Sequence, residues 1–178
     1  MLTLGGDKLT GSIPFCNKKV WHLYRDAASK ETSLLLDITS PRVTDPGNVK
    51  MKADCVQRAM KKVEGIDIAI FIYVGKGMSY RLPGESWVES EKDAQMYDAL
   101  GEIESKFHGP LFAFGFAKMR RGFSNRSPKR VVTHMCVNMG VGHCVENTVQ
   151  AVGRANFIGK ELLHKNGHTA CYGLANQY

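Results

Sequence analysis

The residues whose types and spacing could do chemistry gather in the second half of the chain. Between positions 118 and 130 stand Lys118, Arg120, Arg121, Arg126, Lys129 and Arg130, with no acidic residue among them. Gly122, Ser124, Asn125 and Ser127 are interleaved with these cations. Lys and Arg neutralise phosphates, while small polar residues and free backbone N–H groups let a sugar-phosphate chain come close. The plain alternative is a solvated surface loop. Further along, Gln150, Gly153 and Arg154 fall on a stretch with helical spacing. Glycine costs roughly 1 kcal/mol relative to alanine inside a helix, so its presence there calls for a reason. Removing side-chain bulk lets another surface approach beside Arg154, whose guanidinium could then reach a phosphate held by a neighbour. Tight packing at Gly153, with Arg154 in a surface ion pair, is the simpler reading of the same residues.

Two other groupings invite chemistry and then fall short of it. His134, Cys136, His143 and Cys144 offer four ligand atoms of the kind zinc takes, and His134 and Cys136 would project to one side of a strand. Adjacent His143 and Cys144 cannot readily both turn to one ion, however, and the paired spacing of zinc sites is missing. A thiolate nucleophile at Cys144, activated by His143, would need a third group to orient it, and none suggests itself. Gly75-Lys76-Gly77-Met78 resembles a fragment of a phosphate loop. A Walker loop needs Gly, four residues, then Gly-Lys-Ser/Thr, and glycine follows Lys76 here. No nucleotide-binding loop is legible in this chain.

The remaining bulk properties are those of a folded domain. The 178 residues are 43% hydrophobic and 23% charged, enough for a single core. A net charge of +7 favours an anionic partner, nucleic acid first and an acidic membrane surface second. No apolar run approaches the roughly 20 residues needed to span a bilayer, and the first residues lack the pattern of a secretory signal. Five cysteines without a Cys-x-x-Cys pair fit a reduced, intracellular protein better than a disulfide framework.

The elements that must position these residues alternate along the chain. Residues 1–30 read as an irregular extension with one short helix over Lys18–Ala28, in which Trp21 and Tyr24 pack on the body of the domain. Residues 33–38, SLLLDI, form a continuous apolar run that suits a strand buried on both faces. Val49, Ala53, Val56, Met60 and Val63 recur at helical spacing, with Gly65 at the C-terminal cap position. IDIAIFIYV, residues 66–74, is the strongest strand, and Leu82-Pro83-Gly84 closes the loop after it. A second helix carries Met96, Leu100, Ile103 and Phe107; strands over 111–116 and 131–137 follow, then the helix with Gln150 and Arg154. Alternation of this kind predicts an α/β fold with a mostly parallel sheet and helices on both faces, whose working loops lie beyond the C-terminal ends of the strands.

The order of these pieces resembles the C-terminal RecA-like domain of superfamily 2 helicases. Phe112-Ala-Phe-Gly-Phe-Ala-Lys-Met-Arg-Arg-Gly122 looks like motif V, and Gln150-Ala-Val-Gly-Arg154 looks like motif VI. SLLLDITS would be the motif IV strand, and the similarity runs from residue 33 to about 160. The resemblance implies a RecA-like, P-loop NTPase-like single domain over residues 31–178. It implies that Arg154 senses ATP phosphate, that Gln150 joins nucleotide state to domain movement, and that Arg121, Gly122 and their neighbours meet nucleic-acid backbone. ATP and Mg2+ would be held only with a first RecA-like domain, supplied by a missing N-terminal half or another chain. Phe157 stands where the family has a second motif VI arginine. The alternative expectation is therefore a non-catalytic nucleic-acid or ribonucleoprotein interaction module that keeps the fold. Neither reading places the chain in a membrane.

Overall fold

Three short runs with almost no polar residue, LLLD, AIFIYV and LFAFG, become the centre of a sheet in the computed structural model of the chain. The structure describes residues 18–38, 46–74, 77–90, 96–115, 127–138 and 170–174. Within them lie helix α1 (Lys18–Ala28), strand β1 (Leu34–Asp37), helix α2 (Pro46–Ala59), strands β2 (Ala69–Val74), β3 (Gly77–Arg81) and β4 (Val88–Glu89), helix α3 (Met96–Lys106), and strands β5 (Leu111–Gly115), β6 (His134–Asn138) and β7 (Ala170–Leu174). The strands form one sheet in the order β4-β3-β2-β5-β1-β6-β7. From β2 to β7 every neighbouring pair is parallel. The other margin is antiparallel, because β3 folds back on β2 and β4 on β3. The architecture is α/β with a mixed sheet, so the parallel expectation holds for five strands and is corrected at the β3–β4 side.

Alternation along each strand sends successive side chains to opposite faces, and both faces are covered. Leu34, Leu36, Phe71, Leu111, Ala113 and Met135 point one way, where Met96, Leu100 and Ile103 of α3 meet them. Leu35, Ile70, Ile72, Phe112, Phe114 and Cys136 point the other way, against α1 and α2. Trp21 and Tyr24 are both buried in that second layer, as their helical spacing predicts. The Tyr24 ring lies 5.6 Å from that of Phe112 and 6.5 Å, edge-on, from that of Phe114. Each such aromatic contributes about 1.5–3 kcal/mol by leaving water. Helix α1 thus packs on the sheet through Trp21 and Tyr24, as expected, and residues 1–17 lie outside the described residues.

Local signals account for the ends of the elements. Helix α2 continues into a π-helical turn, Met60–Glu64, and Gly65 stops it with a left-handed φ of 70°. Ile66 N–H donates to the Met60 carbonyl at 3.3 Å to close that end. Leu82-Pro83-Gly84-Glu85 is a tight turn in which Glu85 N–H donates to the Leu82 carbonyl at 3.1 Å. Gly84 has a φ of 77°, the third-position geometry that a proline-initiated type II turn demands. The β3–β4 hairpin that this turn completes is fastened to α2 by Trp87. Lys50 Nζ sits 4.5 Å and the Arg81 guanidinium 5.1 Å from the Trp87 ring centre. Arg81 also pairs with Asp54 at 2.7 Å and donates to the Gln57 side chain at 2.9 Å.

Candidate functional site

In a parallel sheet flanked by helices, the chemistry collects beyond the C-terminal ends of the strands, where the direction of crossing reverses. Strand β1 is followed by α2 and crosses to β2 on one side, whereas β5 crosses over β1 to β6 on the other. Asp37 pairs in register with Phe114 of β5 and Cys136 of β6, so the three strands end at one edge. In sequence, the segment with most of the cations comes directly after β5, and the stretch with Gln150 and Arg154 comes after β6. Lys118, Arg120, Arg121, Gly122, Arg126, Gln150, Arg154 and Phe157, like His143 and Cys144, lie outside the described residues.

What the described residues place at this edge is a charge the sequence reading overlooked. Asp37, the last residue of β1, is fully buried. Lys52 of α2 brings its ammonium 2.8 Å from Asp37 Oδ2 while remaining only 4% exposed. The Tyr24 hydroxyl of α1 donates to the same carboxylate oxygen. One carboxylate therefore ties both helices of this layer to the end of the central strand. A buried ion pair adds little net stability against an apolar replacement, but removing one partner strands the other charge. Its signal was present in the sequence: an aspartate inside LLLDI is a polar interruption in a run otherwise fit only for the core.

The two described members of the cationic set behave in opposite ways. Lys129 is exposed, as a phosphate contact requires. Arg130 is buried, 6% exposed, and its guanidinium is spoken for. Its Nε lies 3.2 Å from Glu104 Oε1 of α3, and its Nη1 donates to the carbonyls of Ser33 at 3.1 Å and Gly109 at 2.7 Å. Burial pulls the guanidinium pKa downward, and the Glu104 carboxylate beside it opposes that pull. Arg130 thus fastens α3 to the chain just ahead of β1 and β5 instead of facing a ligand. Sequence placed it among surface cations because a run of like charges gives no hint that one of them turns inward.

His134 and Cys136 do face the same side of β6, as strand alternation predicts. The His134 ring is nevertheless occupied at both nitrogens. Nε2 lies 2.7 Å from Asp26 Oδ2 on α1, and Nδ1 lies 2.9 Å from the Thr133 hydroxyl. Among the described residues no group of three His, Cys, Asp or Glu side chains is placed to hold a metal. Cys55 and Cys136 are buried and neither forms a disulfide among the described residues. Among those residues also, no helix is long and apolar enough to cross a membrane.

No protein-family model, curated protein or solved structure matches the chain.

Proposed function

We propose that the chain is a RecA-like, P-loop NTPase-like C-terminal helicase domain, which binds nucleic-acid phosphates and supplies half of an ATP site. One observation carries the reading. The strand that leads into the cationic segment and the strand that leads toward Gln150 and Arg154 run parallel on either side of β1 and finish at one edge of the sheet. A phosphate-binding segment and a phosphate-sensing arginine can then serve one ligand-binding margin, which is what the motif order requires.

On this reading Lys118, Arg120, Arg121, Arg126 and Lys129 neutralise backbone phosphates, with Gly122 admitting close approach. Arg154 stabilises charge on the phosphoryl group in transfer, and Gln150 relays its presence. ATP and Mg2+ are gripped mainly by a partner first domain, because the residues here include no phosphate loop. Phe157 in place of the second arginine supports the second reading, an interaction module that keeps nucleic-acid binding without hydrolysis.

Binding of a labelled single-stranded oligonucleotide, titrated against salt, tests the shared part. Five phosphate contacts on a single strand predict a log–log slope of about −3.5. A slope near zero removes the claim. Adding a first RecA-like domain in trans separates the two readings: ATP hydrolysis that Arg154→Ala abolishes supports the helicase half, and binding without any hydrolysis supports the module.

A further inference from the structure

The cationic segment rejoins the described structure at Ser127, and what receives it there is a single carboxylate. Glu104, on α3 and 2% exposed, is the hub. Its Oε1 accepts from the Ser127 hydroxyl and faces Arg130 Nε at 3.2 Å, while its Oε2 accepts from the Lys129 backbone N–H at 3.2 Å. Ser127 in turn accepts from the Arg130 N–H at 2.9 Å, and its own N–H donates to the Arg130 carbonyl at 3.0 Å. Four consecutive residues, 127–130, are thus folded into a closed turn around one acid. Three of the four touch it directly or through their backbone, and the fourth is seated by a missing side chain. A Cβ at Gly101, one turn before Glu104, would lie 3.0 Å from Pro128 Cγ, so glycine there makes room for the proline. The long side chain of Arg130 finally ties the turn to the carbonyls of Ser33 and Gly109, next to β1 and β5.

A surface loop with no task would need no buried acid, no glycine socket and no inward arginine at its foot. Phosphate binding, by contrast, profits from a fixed foot, because ordering a free chain on binding consumes affinity. We propose that Glu104 is a positioning residue for nucleic-acid binding: it fixes where the cationic segment rejoins the sheet and holds Lys129 outward, so that the phosphates meet a prearranged foot. The proposal rests on the nucleic-acid reading above. Glu104 itself touches no phosphate; it acts through Ser127, Lys129 and Arg130.

The test is anisotropy titration of a fluorescein-labelled single-stranded oligonucleotide at several salt concentrations, on the whole chain and four variants. Glu104→Ala removes the hub, Glu104→Gln keeps one acceptor oxygen, Ser127→Ala removes one donor, and Gly101→Ala fills the socket beneath Pro128. Binding weakened about three- to tenfold is expected for Glu104→Ala and Gly101→Ala, with a salt slope shallower by about one unit, and partial recovery in Glu104→Gln. Circular dichroism and thermal melts identify the folded variants. Should Glu104→Ala unfold, Gly101→Ala and Ser127→Ala carry the comparison, since they leave the ion pair with Arg130 in place. A merely structural role lowers the melting temperature and leaves affinity and slope of the folded variants at the parent values; that result overturns the proposal. If the parent itself shows no salt-dependent binding, the nucleic-acid reading fails and the positioning role falls with it.

Discussion

His134 shows how much one buried titratable side chain can set the response of a domain to pH. Its ring is 1% exposed, and burial, the larger influence, pulls its pKa below the ordinary imidazole value. The Asp26 carboxylate pushes the other way, and Lys30 adds to the pull. The neutral tautomer satisfies both nitrogens, with Nε2–H donating to Asp26 and Nδ1 accepting from the Thr133 hydroxyl. Because the folded pKa lies below the unfolded value near 6.5, the unfolded chain takes up the extra proton in that interval. The contribution is therefore complete above about pH 6.5 and is lost as pH falls below it. Asp26 acts in the same direction at lower pH. Its hydrogen bond to His134 lowers its pKa, so its contribution is present above about pH 3.9 and lost as pH falls below that value. Thermal melts should show a falling midpoint from pH 7 to 5. His134→Asn, which cannot titrate, should start lower at pH 7 and lose less over that interval. An unchanged pH profile in the variant would remove His134 from the account.

At the scale of elements, the β3–β4 hairpin forms one margin of the sheet and packs against α2 from there. Its hold on α2 combines the Arg81–Asp54 ion pair with Trp87, which is half-buried under Lys50 and Arg81. Trp87→Ala should destabilise the protein by about 1–3 kcal/mol, below the cost of a fully buried aromatic. It should also speed amide exchange in residues 77–89 well before exchange in β5 changes. Equal acceleration throughout would mean that the hairpin does not open by itself. This is also where sequence reading stopped short. Helix α1 was legible to the residue, and β1, β2 and β5 to within a few positions, because uninterrupted apolar runs admit few alternatives. The hairpin was read as loop. Val74 pairs with Gly77 across only Gly75 and Lys76, a two-residue connector of the kind that joins antiparallel strands. The phosphate-loop comparison drew attention from that simpler meaning. Strand β7 was missed because Ala170–Leu174 is short and carries an internal glycine, and its partner β6 is distant in sequence. The site divided in the same way. Exposure of Lys129 followed from its neighbours, whereas the inward turn of Arg130 depends on Glu104, 26 positions away, which no local pattern reveals.

For the molecule as a whole, the two apolar layers meet on strands β1, β2 and β5. Each of these strands has a hydrogen-bonded neighbour on both sides, so opening them requires loss of the entire core. Native-state hydrogen exchange should therefore be slowest in β1, β2 and β5 and faster in β3 and β4. Equal protection of β4 and β1 would contradict this order.

The sheet's antiparallel border has a last consequence. It ends in a strand of two residues, both exposed, and Glu89 of that strand is drawn to Lys50 at 3.5 Å. So brief and charged a fringe offers an incoming chain almost no row of amides to zip against. Crowded copies of the protein are thereby discouraged from stitching into fibres along that flank.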